Sequence, residues 1–155
     1  MKVANSNRLV TFEAWLQQHG AILHKIARSY ASPTDREDLH QDLLIALWDS
    51  LPFYRSESKP STFIYRVALN RALNWTRTRR PYVELPDLPA PVPNHDRLDQ
   101  LYAAIAQLPE LDRSLILLQL DGLTYAEIAQ VLGLSETNIG ARLTRLRQRL
   151  KETLS

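Results

Sequence analysis

Thr124-Tyr125-Ala126-Glu127-Ile128-Ala129-Gln130-Val131-Leu132-Gly133-Leu134-Ser135 reads as a short helix marked at both ends. Thr124 and Glu127 form a capping box: the hydroxyl accepts from the third residue's N–H while the carboxylate reaches back. Ile128, Ala129, Val131 and Leu132 make the apolar face, and Gly133 suits the left-handed position that closes a helix. Ser135 then caps a second helix with the core stripe Ile139, Leu143, Leu146 and Leu150. Two helices across a glycine turn, the second carrying Arg142, Arg145 and Arg149 beside its stripe, make a helix-turn-helix. No acid lies between Gly140 and Lys151, so none in that stretch offers these arginines i,i+4 compensation. With Thr137, Asn138 and Ala141 near the helix start, where base edges are met, duplex DNA binding is favoured over a merely solvated face. Gly140 inside the helix costs about 1 kcal/mol relative to Ala and predicts a close approach to its backbone.

Upstream, a helix over about 96–108 stops before Pro109, and another carries Leu111, Leu115, Leu118 and Leu120 up to Gly122. Residues 81–95 hold five of the chain's nine prolines, which removes backbone donors and predicts an extended, semi-rigid linker. The expected organisation is therefore an N-terminal domain over 1–80, a Pro-rich linker over 81–95 and a C-terminal domain over 96–155. Neither half shows a period-two strand pattern, so both are expected to be all-α. In the first, Phe12, Trp15, Leu16, Ile22, Leu23, Ile26 and Tyr30 recur at helical spacing. Ser32-Pro33-Thr34-Asp35 predicts a capped helix start, Leu51-Pro52 a helix end, and 61–79 a third helix.

Charge is placed unevenly. The 155 residues carry 19 Lys and Arg against 17 Asp and Glu. Yet 1–80 hold 12 basic and 7 acidic side chains, and 66–80 contain five arginines and no acid. Over 63–77, Phe63, Arg66, Asn70, Arg71, Asn74, Trp75 and Arg77 interleave cations with aromatic and amide groups. That mixture holds unpaired bases by stacking and backbone contacts; core packing of the aromatics is the equal alternative. Asp35, Glu37, Asp38 and Asp42 crowd the start of the second helix. Early acids suit the helix dipole, but Asp38 and Asp42 repel at i,i+4, which a basic protein surface would relieve.

Several classes are excluded or disfavoured. Without Cys there is no disulfide scaffold, thiolate metal site or cysteine nucleophile. His19, His24, His40 and His95 lack zinc-ligand spacing, and no phosphate-binding glycine loop or nucleophile elbow is present. No catalytic residue, metal site or cofactor is expected. No apolar run approaches the roughly 18 residues a membrane span needs, and the first residues lack a signal peptide's apolar core, so a cytoplasmic protein is expected.

Three motifs in order resemble the sigma factors of bacterial RNA polymerase, of the sigma-70 family and the extracytoplasmic-function type. Arg36-Glu37-Asp38-Leu39-His40-Gln41-Asp42 resembles region 2.2, usually D-A-E-D-L-x-Q-E. Ser61-Thr62-Phe63-Ile64-Tyr65-Arg66-Val67-Ala68-Leu69-Asn70 is similar to the T-W-L-Y-R-I-A-x-N stretch of regions 2.3 and 2.4. Leu108-Pro109-Glu110 through Thr124-Tyr125-Ala126-Glu127-Ile128-Ala129 is similar to region 4. The resemblance covers about 12–152. It implies a region 2-like bundle and a region 4-like helix-turn-helix that direct promoter recognition and DNA opening for transcription initiation.

By that resemblance Glu37, Asp38, Gln41 and Asp42 bind the core polymerase, whose clamp and flap are the expected docking regions. Phe63, Arg66, Asn70, Arg71, Asn74, Trp75 and Arg77 take the −10 element, with Asn70 at a flipped base. Thr137, Asn138, Ala141, Arg142 and Arg145 take the −35 element. Promoter DNA, duplex and unpaired, and an anti-sigma factor are the implied partners. Phe63 stands where the family has Trp, and Asn138 where Thr is common. The alternatives are a helix-turn-helix regulator that binds duplex DNA without polymerase, and an enzyme or RNA-binding adapter.

Overall fold

The computed structural model describes residues 2–79 and 97–154. The expected linker, 81–95, lies outside them. Seven α-helices follow in order among the described residues, with no strand. They are α1 (Lys2–Tyr30), α2 (Arg36–Ser50), α3 (Pro60–Arg79), α4 (Arg97–Ala106), α5 (Glu110–Leu120), α6 (Tyr125–Leu132) and α7 (Glu136–Leu154), with a 3-10 turn at Leu51–Phe53 after α2. By compactness the chain divides into Met1–Ala72 and Leu73–Ser155.

The first unit is built on the contact of α1 with α2. Leu23 and Ile26 of α1 and Leu39, Leu43 and Leu47 of α2 are at most 1% exposed, a stripe repeating every three or four residues. From α3, Ile64, Tyr65, Ala68, Leu69 and Ala72 are buried. Trp15 is 5.1 Å from the Tyr54 ring and 5.9 Å from that of Phe63, both edge-on, and Tyr54 and Phe63 lie 5.0 Å apart. These three rings tie the start of α3 to α1.

The helix start at Ser32-Pro33 differs from expectation. Ser32 to Asp35 form a turn, with Asp35 N–H donating to Ser32 O at 2.9 Å, and α2 begins at Arg36. The Ser32 hydroxyl donates to the Asp35 carboxylate at 3.3 Å, and Asp35, now at the cap position, makes no side-chain bond to a helix N–H. Pro60, by contrast, opens α3 at the position where its missing N–H is harmless.

The other end of α2 has a specific repair. The Trp48 carbonyl would accept from residue 52, but Pro52 has no N–H. Arg8 fills the gap from α1: its Nε donates to Trp48 O at 3.1 Å and its Nη2 to the same oxygen. The guanidinium also lies 4.0 Å over the Trp48 ring, which Phe12 meets edge-on at 5.2 Å. The Asp49 carboxylate, 3.9 Å away and 71% exposed, adds little. Arg8→Ala is expected to destabilise this unit by about 2 kcal/mol, from a charged hydrogen bond and a cation–π contact. A thermal melt should show the midpoint falling by roughly 10 °C for a unit of this size.

In the second unit α7 touches α4, α5 and α6. Ile105, Leu115, Leu118, Ile128, Ile139 and Leu143 are fully buried between them. The capping box is present in full: Glu127 N–H donates to Thr124 Oγ1 at 3.1 Å, and Thr124 N–H to Glu127 Oε1 at 2.8 Å. Gly133 closes α6 at φ 75°, a left-handed conformation costly for any residue with a Cβ. Ser135 caps α7, its hydroxyl accepting from Asn138 N–H at 3.1 Å.

Candidate nucleic-acid and polymerase interfaces

Helical geometry sorts the predicted residues of α3. At 3.6 residues per turn, Phe63, Arg66, Asn70, Asn74 and Arg77 fall within one quarter-turn, opposite the stripe of buried residues. Asn70, Asn74 and Arg77 are exposed and Arg66 is half-buried. Phe63 is half-buried in the cluster with Trp15 and Tyr54, so its ring is anchored at the bundle end of this face. Arg71 and Trp75 leave the stripe. Trp75 is half-buried.

Arg71 turns to α2, where its Nη2 donates to Asp42 Oδ2 at 3.0 Å. This corrects one expectation. The repulsion between Asp38 and Asp42 is eased within the chain itself, by an arginine of the segment that looked free of acids. The pair is partly exposed, 45% at Arg71 and 32% at Asp42, so it is worth at most about 1 kcal/mol. Both groups remain within reach of a partner. Glu37, Asp38 and Gln41 are exposed along the same helix. Among them His40 is half-buried and stacks on His24, with ring centroids 4.0 Å apart. Burial holds its imidazole below the usual range, the His24 charge adds to that, and Glu37 opposes it.

On α7 the residues divide into three lines. Asn138, Arg142, Arg145 and Arg149 share the flank towards α5, and Arg147 takes the flank towards α6. Thr137 and Ala141 point outwards, both exposed. Two of the arginines find partners within the protein. Arg142 Nη1 lies 3.5 Å from Asp112 Oδ1 on α5, and its Nε donates to Asn138 Oδ1 at 3.0 Å. Arg147 donates to Gln119 Oε1 and to the Tyr125 hydroxyl, each at 3.2 Å. Asn138, expected to face DNA, therefore spends its carbonyl on Arg142.

The backbone approach predicted at Gly140 comes from inside the protein. A Cβ there would lie 3.3 Å from Tyr125 Cε2 of α6, so the glycine makes room for that ring. Thr144 and Gln148 escaped the sequence reading. Both are exposed, and they continue the outward line of Thr137 and Ala141 at intervals of three and four residues. Their spacing relative to Ile139, Leu143 and Leu146 was the available signal. Among the described residues no cluster of three or more His, Cys, Asp or Glu could hold a metal ion, and no helix is long and apolar enough to cross a membrane.

Comparison with known proteins agrees with this layout. Residues 15–82 match the family description "Sigma-70 region 2", and residues 98–150 match "Sigma-70, region 4". Together they take in more than three quarters of the chain. The RNA polymerase sigma factor NccH of Alcaligenes xylosoxydans xylosoxydans is 28% identical, over 92% of this chain and 86% of that protein. The ECF RNA polymerase sigma factor SigM of Mycobacterium tuberculosis is 26% identical, over 92% of this chain and 76% of that protein. The solved structure of CnrH in complex with the cytosolic domain of CnrY superposes with a TM-score of 0.70 at 26% identity, covering 92% of this chain and 86% of that one. RpoE of Bartonella quintana, solved with the anti-sigma factor NepR, has the same fold, with a TM-score of 0.68 at 24% identity over 99% of this chain and 98% of that one. Members of this family are transcription factors rather than catalysts. With both regions matched in order, and curated relatives of one type along nearly the whole length, the chain belongs to the sigma-70 family of RNA polymerase sigma factors, in its extracytoplasmic-function branch.

Proposed function

We propose that this sigma factor works through three surfaces: an acidic one on α2 for core polymerase, the outer face of α3 for the opened −10 element, and α7 for the duplex −35 element. The observation that carries this is the sorting of polar residues on α3. Arg66, Asn70, Asn74 and Arg77 share the face away from the core, where cations can follow a backbone and amides can meet an extruded base. Glu37, Asp38, Gln41 and Asp42 form the polymerase surface. On α7, Thr137, Ala141 and Thr144 face the major groove, with Arg142 and Arg145 beside them. Binding energy from the bases offsets part of the unstacking cost of a few kcal/mol. The bond-forming chemistry belongs to the polymerase, and the protein acts in the cytoplasm.

The domain limits follow the same logic, with 1–80 and 96–155 as working domains and 81–95 as the spacer between two promoter elements. The ends of the two family matches, at 82 and 98, support these limits. An anti-sigma factor is the remaining partner; CnrH is held by the cytosolic domain of CnrY, and RpoE of Bartonella quintana by NepR.

Run-off transcription with core polymerase on fragments of the source genome tests the assignment. Discrete start sites that depend on this protein are expected. Asp38→Lys should lower core binding at least about tenfold, as expected for reversing one charge at a desolvated contact, and should reduce transcription in proportion. Duplex binding without core binding would instead favour a regulator that works apart from polymerase.

A further inference from the structure

Asp112 belongs to α5, outside the helix that reads DNA, yet its carboxylate is directed at that helix. Its side chain is only 17% exposed, and Oδ1 lies 3.5 Å from Arg142 Nη1. From the other end of the guanidinium, Nε donates to Asn138 Oδ1 at 3.0 Å. An acid in the first turn of α5 suits the helix dipole, but that role needs no partner on α7. The guanidinium is planar, with its donors in a rigid fork. The directional Nε bond to Asn138 sets the plane, the Asp112 carboxylate draws the Nη1 edge towards α5, and Nη2 has no contact of its own among the described residues. Arg145 and Arg149 line the same cleft beside Asp112, Arg142 and Leu146. One carboxylate thus stands among three cations, and its ion pair is with Arg142.

We infer that Asp112 is a positioning residue for promoter discrimination. With Asn138 it holds Arg142 in the orientation from which Nη2 meets a base edge, so specificity depends on a carboxylate that makes no contact with DNA. The inference rests on the proposal that α7 reads the duplex. It has a signature that a DNA-contacting residue lacks. Removing Asp112 deletes no cation from the interface and makes the local charge more positive. Attraction to any phosphate backbone is then kept or increased, while the choice among sequences is lost.

The test uses the full chain as wild type, Asp112→Ala, Asp112→Asn, Asp112→Glu and Asn138→Ala. Each is titrated with a duplex carrying the −35 element of a promoter found by run-off transcription, with its single-base-pair variants, and with a random duplex. The expected result for Asp112→Ala is a fall of about tenfold in the ratio of specific to random binding, the worth of one base-pair contact. Random binding should be equal or tighter. Asp112→Glu should restore most of the ratio, and Asn138→Ala should reproduce part of the loss. Should Asp112→Ala melt at a lower temperature, Asp112→Asn, nearly identical in shape, carries the comparison. A discrimination profile unchanged in Asp112→Ala and Asp112→Asn would overturn the inference. So would specific and random binding moving by the same factor in either direction, since Asp112 would then act on folding or on net charge alone. A wild type that shows no discrimination would overturn the reading of α7 and this inference together; unchanged variants overturn only the inference.

Discussion

Replacing both Arg142 and Arg145 by alanine is expected to abolish measurable binding to the −35 duplex while leaving the fold intact. Neither side chain is part of the core: Arg145 is exposed, and Arg142 keeps 36% of its side chain in solvent. A lost contact to a base edge costs about 1–3 kcal/mol, and two such losses weaken binding by roughly two to four orders of magnitude. Each phosphate contact removed should also lower the slope of log affinity against log salt by about one. Fluorescence anisotropy with a labelled duplex, repeated across a salt series, gives both quantities. Affinity and slope at wild-type values would show that α7 is not the reading helix. The single variants should differ, because Arg142→Ala strips Asp112 of its ion-pair partner whereas Arg145→Ala does not. A lower melting temperature is expected only in the first.

Leu143→Ala should have the largest effect on stability. Leu143 is fully buried on α7, the helix that α4, α5 and α6 all touch. Truncating a buried leucine costs about 2–5 kcal/mol through lost transfer energy and the cavity left behind. A unit of some 60 to 80 residues has little stability beyond that to lose. Circular dichroism should show its transition lowered by 10 °C or more, at roughly 4–8 °C per kcal/mol. Binding of the −35 duplex should fall with it as temperature rises. An unchanged melt would mean that the cavity collapses without cost, which the close packing around this position argues against.

What the sequence displayed well was local. The capping box at Thr124 and Glu127, the left-handed Gly133 and the Ser135 cap each depend on residues within a turn of one another, and all three stand as read. The apolar stripes were equally legible, because helical period alone separates buried from exposed positions. The failures have one cause. Helical spacing shows ion pairs only within one helix, yet Arg71 finds Asp42 across 29 residues and Arg142 finds Asp112 on another helix. Composition had marked both arginine segments as uncompensated, whereas packing supplied each with a carboxylate. Ser32 is set apart by the turn that follows it: α2 begins only at Arg36, which puts Asp35 and not Ser32 at the cap position. Arg8 was invisible as a cap, since nothing local connects it with the carbonyl that Pro52 orphans.

The ring of Tyr125 against Gly140 bears on how this protein can acquire new promoter preferences. With 3.3 Å between a Cβ at one position and Cε2 of the other, and the Tyr125 hydroxyl tethered by Arg147, the two positions form a single unit of variation. A β-carbon can enter α7 at 140 only as the Tyr125 ring gives way by a few tenths of an ångström. Mutational libraries in which codon 125 varies with codon 140 are therefore expected to admit larger side chains at 140 than libraries that randomise α7 alone.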